Sequence, residues 1–388
     1  MPTPSLLIVP ARFKTGRLYS QIPTNTDNRG DFTVTRNTTA TRFTSAGLIE
    51  SVASGIPRLD YYTSGGVTGC PALLVEPAAT NLVLHSRDLT NAVWSGTNVT
   101  RVKNAVGADG VASGATTLTA TAASGTVLQA LSHASQSRVF SAYVRRVTGT
   151  GAIQMTTNNG TTWTTVTISS LYTQVACAAQ TVASGTIGFR MAVSGDVIEV
   201  DFTQGEVGPV ATSPIVNAAA SGSRSADVIS VTGAVSGSIG QTEGTIYAEV
   251  DVRVLGDGRF ATLSDGTSNN RIQCRFNAAI NGLDFLVRVS GSSADFSISN
   301  STHPSFPATI PAGTYKIALG YKQNDYVVAM NGVAYTPTVT TRNVPLNFSK
   351  VTLGADVSDL NQFNNRIRAA ALYTTRLTNA ELALITQP

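Results

Sequence analysis

Short stretches of strict two-residue alternation constrain the fold of this chain more than any other feature of its sequence. Within residues 244–255, Ile246, Ala248 and Val250 alternate with Tyr247 and Glu249. Because successive side chains of a β-strand point to opposite faces, this pattern predicts a strand with one buried face and one solvent-facing face. Similar runs recur at roughly ten-residue spacing from about residue 83 onward, which is typical of sandwiches. The chain is therefore predicted to be all-β.

A stretch of weak periodicity, residues 200–231, separates two strand-rich parts of the sequence. It begins as a strand, turns at Gly205 and at Gly208-Pro209, and loses apolar alternation through residues 217–223. Such a loss is typical of a domain boundary. The 388-residue chain is thus divided into an extended, proline-rich N-terminal segment (1–82), a β-sandwich (83–215), a linker with a first strand (216–240) and a second β-sandwich (241–388).

The strand patterns also predict which side chains enter the cores. The residues expected on inner faces of the first sandwich are Phe140, Ala142 and Val144 on one strand and Ile198, Val200 and Phe202 on another. Hairpin turns are predicted at residues 158–160 and at Asn331-Gly332, since these residue types accept the positive φ that tight hairpins require. Thr378 and Glu381 have the spacing of a capping box, which predicts one short C-terminal helix.

Composition argues against several classes of function. Charged residues make up 13% of the chain, and 27 Lys and Arg stand against 23 Asp and Glu. No basic run with interleaved aromatics is present, so no nucleic-acid partner is expected. No apolar run has the length of a membrane span, and the N-terminus lacks the pattern of a secretory signal. We therefore expect synthesis in a reducing cytoplasm, with Cys70, Cys177 and Cys274 as buried thiols.

The N-terminal segment carries distinctive phrases in a fixed order, at residues 31–43, 46–50, 56–61 and 72–82, followed by 85–94. The series resembles the leader of bacteriophage and prophage virion proteins, especially tail-fibre-like and head-fibre-like appendages. The resemblance implies a homotrimer in the virion, made in the host cytoplasm, that docks to other virion proteins through residues 1–82. Deletion of those residues is then expected to leave a soluble, folded remainder that no longer joins particles.

Two further phrases resemble known sandwiches. Residues 204–215, together with 140–145, are similar to carbohydrate-binding-module-like jelly rolls of phage tail proteins. Residues 315–385 resemble the last strands and terminal helix of concanavalin-like and laminin-G-like domains. These resemblances imply that the sandwiches bind host-surface or environmental glycan.

Aromatic side chains are the natural contacts for sugar rings, because a flat apolar ring stacks on the face of a pyranose. Trp163 is the best exposed candidate, Tyr172 is a weaker one, and Trp94 is expected in a core or interface. For both candidates a structural role remains the alternative, since large aromatics are usually buried.

Catalytic and metal sites are not expected, and no cofactor is implied. His85, His133 and His303 lie in no recognisable motif, and the nearest carboxylates, Asp196, Glu199 and Asp201, are expected on a solvated strand face. The one loop that could hold calcium contains Asp265, Asn269 and Asn270, where a plain turn is the alternative. The sequence therefore predicts a non-enzymatic adhesion protein, with a purely structural decoration protein as the alternative and a glycan-cleaving enzyme as the third possibility.

Overall fold

The computed structural model describes residues 2–23, 30–64, 67–233, 236–293, 295–337 and 342–388. Almost all regular structure in these residues is β-strand, which confirms the all-β prediction. The strands of the N-terminal part are short: β1 (Leu6–Ile8), β2 (Phe13–Lys14), β3 (Arg17–Leu18), β4 (Phe32–Thr35), β5 (Ala40–Phe43), β6 (Ile49–Val52), β7 (Leu59–Asp60), β8 (Thr63–Ser64), β9 (Val67–Thr68), β10 (Ala72–Val75) and β11 (Ala79–Asn81).

The middle of the chain has longer strands. They are β12 (Ser95–Thr97), β13 (Val99–Ala105), β14 (Ala115–Ala120), β15 (Gly125–Ala130), β16 (Gln136–Thr148), β17 (Ile153–Thr156), β18 (Thr164–Val166), β19 (Thr173–Ala176), β20 (Gln180–Val182), β21 (Thr186–Met191), β22 (Val197–Val207) and β23 (Gly222–Arg224).

The C-terminal part contains the remaining strands, two single-turn 3-10 helices at Ser236–Ser238 and Ala278–Ile280, and the helix α1 (Asn379–Ile385). Its strands are β24 (Val228–Thr232), β25 (Glu243–Val252), β26 (Arg259–Ser264), β27 (Arg271–Asn277), β28 (Gly282–Val289), β29 (Ser292–Ser293), β30 (Phe296–Ile298), β31 (Gly313–Lys322), β32 (Asp325–Met330), β33 (Val333–Tyr335), β34 (Lys350–Leu353) and β35 (Asn365–Tyr373).

The chain forms two compact units. Unit 1 comprises residues 1–37, 52–77 and 225–388, and unit 2 comprises residues 38–51 and 78–224. The boundary at 224/225 lies inside the stretch where the sequence loses its periodicity. Residues 1–82, however, are shared between the two units instead of forming a part of their own.

Unit 1 is a sandwich of two antiparallel sheets. The first sheet has the order β33-β32-β31-β25-β35-β10-β7, with β1 also paired to β35. The second has the order β2-β3-β4-β24-β34-β26-β27-β28-β29, with β30 paired to β28. Ile246, Ala248 and Val250 of β25 share one hydrophobic core with Leu263 and Phe285 of the second sheet. The predicted inner face of β25 is thus confirmed.

The opposite face of β25 is less exposed than its alternation predicts, because α1 packs on this sheet. Leu382 of α1 is fully buried against Ala318 and Val327, and Tyr247 packs against the same cluster. The helix starts at the predicted capping box: Thr378 accepts from the Glu381 N–H, and the Glu381 carboxylate accepts from the Thr378 N–H. The Asn331-Gly332 turn between β32 and β33 is also confirmed, with φ of 48° and 85°.

The N-terminal strands complete unit 1 rather than standing apart from it. Leu6 of β1 pairs with Leu372, and Leu73 of β10 pairs with Ile367, so both strands extend the first sheet along β35. In the second sheet Val34 of β4 pairs with Ile229 of β24. A folded remainder after deletion of residues 1–82 is therefore no longer expected, since the deletion removes strands from both sheets.

A buried ion-pair network ties these early strands to the region after the domain boundary. Arg58 pairs with Glu76 at 2.7 Å and also with Asp227, and Arg36 pairs with Asp227 at 3.1 Å. Arg253 reaches the second Glu76 oxygen at 3.0 Å. The Arg58, Glu76 and Asp227 side chains are at most 2% exposed. Although burial opposes the charge, the carboxylates of Asp227 and Glu76 raise the pKa of Arg58 above its ordinary value.

Unit 2 is a second two-sheet sandwich. Its five-stranded sheet has the order β12-β15-β21-β17-β18, and its six-stranded sheet has the order β13-β14-β22-β16-β19, with β20 also paired to β16. The core confirms the predicted inner residues Phe140, Ala142, Val144, Ile198 and Val200, and it contains Trp94, which is 1% exposed.

Phe202 corrects the predicted face of β22. The pairing of β16 with β22 shifts register between Ser141 and Tyr143, and Phe202 has a φ of 46°, as a β-bulge requires. Its ring therefore joins Tyr143, Ile49 and Ala108 in a separate cluster on the other side of the sheet. Ile49 belongs to the β5–β6 segment, so part of the N-terminal segment covers a face that the sequence predicts to be solvated.

The cysteines divide into two kinds. Cys177 and Cys274 are buried free thiols, as predicted, and burial raises the pKa of Cys177 to about 12. Cys70 is an exposed free thiol, which corrects the prediction for this residue. It lies in the short connection before β10.

Candidate carbohydrate-contact face

The outer face of the five-stranded sheet in unit 2 carries a continuous row of polar side chains. Thr126 pairs with Arg190, Arg190 with Gln154, and Gln154 with Thr165 across four neighbouring strands. Their chain neighbours Ile153, Met155, Phe189 and Met191 fill the core. Because side chains alternate along a strand, the polar row faces away from that core.

Trp163 lies at one end of this row. It is partly buried, immediately before β18, and the guanidinium carbon of Arg190 lies 4.5 Å from the centre of its ring. Arg190 Nε donates to Gln154 Oε1 at 2.8 Å, and Gln154 Nε2 donates to Thr165 Oγ1 at 3.3 Å. Trp163, Arg190, Gln154, Thr165 and Thr126 are called the Trp163 face below.

The connection that carries Trp163 is fixed by its own hydrogen bonds. Thr162 N–H donates to Asn158 Oδ1 at 2.9 Å, and Asn158 Nδ2 donates to Thr162 Oγ1 at 3.2 Å. Gly160 has a φ of 74°, and a Cβ there would lie 3.0 Å from Trp163 Cζ2. The Asn-Asn-Gly sequence thus forms the predicted turn between β17 and β18 and lets the indole pack closely on it.

Tyr172, the second predicted glycan contact, lies elsewhere. It precedes β19 of the six-stranded sheet, so the structure does not bring it together with Trp163. Its hydroxyl lies 3.0 Å from the Val106 carbonyl oxygen and 3.2 Å from Glu199 Oε2, and Arg145 lies 4.8 Å from the ring centre. Burial and the neighbouring Glu199 raise the pKa of Tyr172. These contacts explain Tyr172 as a packed residue without a ligand.

The loop considered for calcium, at Asp265, Asn269 and Asn270, is a hydrogen-bonded turn. Asp265 Oδ1 accepts from the Thr267 N–H at 2.7 Å, and Asp265 Oδ2 accepts from Asn270 Nδ2 at 2.9 Å. The Asn270 Oδ1 accepts from the Ser290 N–H at 2.9 Å, and the Asn269 carbonyl accepts from Gly291. Slight burial opposes ionisation, but the bonds from Thr267 and Asn270 lower the pKa of Asp265. Across the described ranges, no group of three His, Cys, Asp or Glu side chains could hold a metal ion.

The carboxylates considered for sugar cleavage have different arginine partners. Glu199 pairs with Arg145 at 2.5 Å, and Asp201 pairs with Arg87 at 2.8 Å. Asp196 is buried, 3.7 Å from Arg146. Each carboxylate thus has a charged partner, as structural ion pairs do.

Two of the three histidines have a ring nitrogen close to a backbone carbonyl oxygen. His133 Nδ1 lies 3.0 Å from the Ala134 carbonyl oxygen, and His303 Nε2 lies 2.8 Å from the Thr336 carbonyl oxygen. His85 adopts a turn conformation with a φ of 46°.

In the part of the chain that is described, no helix is long and apolar enough to cross a membrane.

Of the Trp163 face only Trp163 was predicted from the sequence, and Arg190, Gln154, Thr165 and Thr126 were missed. Arg190 and Gln154 lie 36 residues apart along the chain and become neighbours only through the register of β17 and β21. No sequence signal paired those strands.

Comparison with known proteins gives partial likenesses only. No protein-family model and no curated protein matches the sequence. Similar solved structures include the CBM40 of the Ruminococcus gnavus IT-sialidase, with 13% identity over 38% of this chain and 84% of that chain and a TM-score of 0.31. The NanB sialidase of Streptococcus pneumoniae has 16% identity over 41% of this chain and 26% of that chain, with a TM-score of 0.33.

Domain 4 of AbnA, an arabinanase of Geobacillus stearothermophilus, has 14% identity over 42% of this chain and 73% of that chain, with a TM-score of 0.33. Similarity at this level does not assign a fold or a role to the chain. Its function is therefore argued from its own residues.

Proposed function

We propose that this chain is a non-catalytic protein of a bacteriophage particle, an appendage that adheres to host-surface carbohydrate through the Trp163 face. The ordered phrases between residues 31 and 94 support the virion part of the proposal. The observation that carries the adhesion part is the partly buried Trp163 ring beside the side chains of Arg190 and Gln154.

This arrangement suits a sugar because it offers two kinds of contact at once. An indole ring stacks on the apolar face of a pyranose, while guanidinium and amide groups bond to its hydroxyls. Arg190, Gln154 and Thr165 already hold one another in place, so little side-chain entropy is lost when a ligand binds. Because the face lies on the outer side of a sheet, a single copy is expected to bind weakly.

Weak single sites become effective when many copies act together. A homotrimer docked to other virion proteins would present several Trp163 faces, and linked sites can raise the overall affinity by a factor of about 100 to 10,000. The low content of charged residues fits reversible contact with neutral sugars.

A purely structural decoration protein is the second candidate. The observation that favours it is that Arg190 already covers one side of the Trp163 ring, which explains the packing of this tryptophan without any ligand. A glycan-cleaving enzyme is third, because Glu199 and Asp201 are engaged by Arg145 and Arg87.

A glycan array probed with a multimerised form of the full chain tests the adhesion proposal. Wild-type protein is expected to bind a subset of neutral glycans, and Trp163→Ala is expected to weaken that binding at least about tenfold, equivalent to about 1.4 kcal/mol. Tyr172→Phe, which keeps an aromatic ring on the other sheet, is the matched control and should bind like wild type. Absence of wild-type binding would favour the decoration role, and unchanged binding by Trp163→Ala would exclude this face.

The virion part of the proposal has its own test. Immunogold labelling of purified phage particles with antibodies against the chain is expected to mark an appendage of the tail or head. Label confined to host-cell debris would refute a place in the virion and would leave the glycan result unaffected.

A further inference from the structure

Two pairs of arginines lie directly opposite each other on neighbouring strands of unit 1. Arg259 of β26 pairs in register with Arg275 of β27, and Arg271 of β27 pairs with Arg288 of β28. Residues directly opposite in an antiparallel sheet have Cβ atoms about 4.5–5.5 Å apart, and like charges at this separation destabilise the sheet. Two such pairs on adjoining strands need an explanation.

All four side chains belong to the outer face of the second sheet. Their neighbours on β27, namely Ile272, Cys274 and Phe276, are in the core, so Arg271 and Arg275 alternate to the other side. Arg271 is only 8% exposed. The Nε atoms of Arg259, Arg271, Arg275 and Arg288 are buried and have no hydrogen-bond partner among the described residues. These four residues are called the arginine face.

The charge of the arginine face is only partly balanced. Arg275 pairs with Asp284 at 2.7 Å, whereas Arg259, Arg271 and Arg288 form no ion pair with any described residue. Arg259 donates to the Asp257 carbonyl oxygen at 3.0 Å, and Arg271 donates to the Ser268 carbonyl oxygen.

Asp257, Asp295 and Asp356 bond to the backbone, but their charges still offset part of the positive charge of Arg259 and Arg271. Asp356 Oδ1 accepts from the N–H groups of Ser358 and Leu360, Asp257 Oδ1 accepts from Ala278, and Asp295 Oδ1 accepts from Val287. Burial, followed by the opposing arginine, lowers the pKa of Arg259 and of Arg271. The arginine face therefore contains guanidinium groups that no described carboxylate engages in a direct ion pair.

We propose that the arginine face binds an acidic glycan through carboxylate, sulfate or phosphate oxygens. A guanidinium presents donors in a planar fork that matches such oxyanions, and these charge-assisted bonds are about twice as strong as neutral ones. A bound oxyanion would offset the repulsion within each pair. This site belongs to unit 1, whereas the Trp163 face belongs to unit 2, so either proposal can fail without the other.

The spacing of the two pairs favours a polymer over a small anion. Arg271 and Arg275 are four positions apart on β27, which corresponds to about 13 Å along a strand. Two anchoring points at this distance can be used together only by an extended chain that carries several acidic groups, and occupation of both multiplies the affinity.

Nucleic acid fits the face less well. Sheets that bind single-stranded nucleic acid present aromatic side chains on which bases stack. On β27 the outward positions are Arg271, Gln273, Arg275 and Asn277, which include no aromatic residue. The net charge of the whole chain is only +4.

Isothermal titration of the full chain with polygalacturonate, dextran sulfate, neutral dextran and monomeric galacturonate tests the proposal. The acidic polymers are expected to bind, with polygalacturonate separating carboxylate from sulfate recognition, while neutral dextran does not. The monomer should bind at least about tenfold more weakly than its polymer, because it can occupy one pair only. Equal binding of neutral dextran, or binding of single-stranded DNA without binding of either acidic polymer, would overturn the proposal.

Variants separate a built site from general electrostatic attraction. Arg271→Gln with Arg288→Gln is expected to reduce affinity for the acidic polymer at least about tenfold while leaving the melting temperature unchanged or higher, since repulsion is removed. The matched control, Lys322→Gln with Arg368→Gln, removes the same charge from the other sheet of unit 1 and should bind like wild type. An equal loss in both double variants would mean non-specific attraction and would refute the site.

The Arg271→Lys with Arg288→Lys variant provides a second safeguard. It keeps the charge but loses the fork, so we expect affinity between that of wild type and that of the glutamine variant. If both double variants at this site unfold at lower temperature and still bind the acidic polymer, the arginines are structural and the proposal is wrong.

Discussion

Single buried residues connect widely separated parts of this sequence. Arg58 lies in the phrase 56–61, Glu76 lies in the phrase 72–82, and Asp227 lies just after the domain boundary. In the structure these three side chains form one buried network. Replacement of any one of the three would leave a buried charge without its partner, which is strongly destabilising.

Replacement of Arg58 by methionine tests this coupling. Arg58→Met leaves Glu76 and Asp227 buried with one counter-charge fewer, and removal of one member of a buried pair costs about 3–5 kcal/mol of unfolding free energy. Urea denaturation followed by circular dichroism measures the loss. Arg12→Met, at an exposed position, should change stability by no more than about 0.5 kcal/mol. Equal stability of the two variants would show that the network contributes little.

At the residue scale, strand alternation predicted most of the side chains that enter the cores, but it placed one of them on the wrong face. Phe140, Ala142 and Val144 are in the core because β16 is regular there. Phe202 is outside this core, because a bulge turns its side chain to the other face of the sheet. No residue type in 200–204 predicts that bulge. Trp163 could be predicted as a candidate contact from its sequence context. The position of Arg190 beside it could not, because that position depends on how distant strands pair.

At the scale of elements, the N-terminal segment differs most from its sequence-based interpretation. Its prolines and short apolar runs predict an extended, separate segment, yet β1, β4 and β10 pair with β35 and β24 more than 190 residues away along the chain. Such pairings leave no local signature, because each strand is only three or four residues long. Docking to other virion proteins remains a proposal for surfaces of this segment that the sheets do not use.

Deletion of residues 1–82 should therefore prevent unit 1 from folding. The expected result is an insoluble or protease-sensitive product without a cooperative thermal transition for unit 1, because strands are lost from both of its sheets. Circular dichroism and limited proteolysis of the truncated chain provide the measurement, and a separately expressed 1–82 fragment should restore protection when mixed with it. A truncated chain that melts like wild type would contradict this account.

The terminal helix is an element that the sequence predicted well, because its signals are local. Thr378 and Glu381 cap it, and Leu382 faces the sheet with no exposure. Leu382→Ala should cost about 2–5 kcal/mol of unfolding free energy, as expected for a truncated core leucine. Leu384→Ala, on the same helix but 46% exposed, is the matched control. Similar losses in both variants would show that α1 does not pack as described.

At the scale of the whole molecule, two sandwiches offer two chemically different outer faces. Unit 2 presents an aromatic ring beside one arginine and several neutral polar side chains, and unit 1 presents four arginines with one carboxylate partner. The sequence predicted two β-rich parts because loss of periodicity is visible along the chain. It could not predict either face, since each is assembled from strands that meet only in the folded sheets.

Intrinsic fluorescence can test the claim that Trp163 contacts carbohydrate. The chain has two tryptophans, and Trp94 is 1% exposed in the core, so a ligand that stacks on Trp163 changes the emission of one known ring. Titration with a glycan selected on the array is expected to shift and quench the emission of wild-type protein, with no change in Trp163→Phe. An unchanged wild-type spectrum at saturating glycan, or the same change in Trp163→Phe, would contradict the claim.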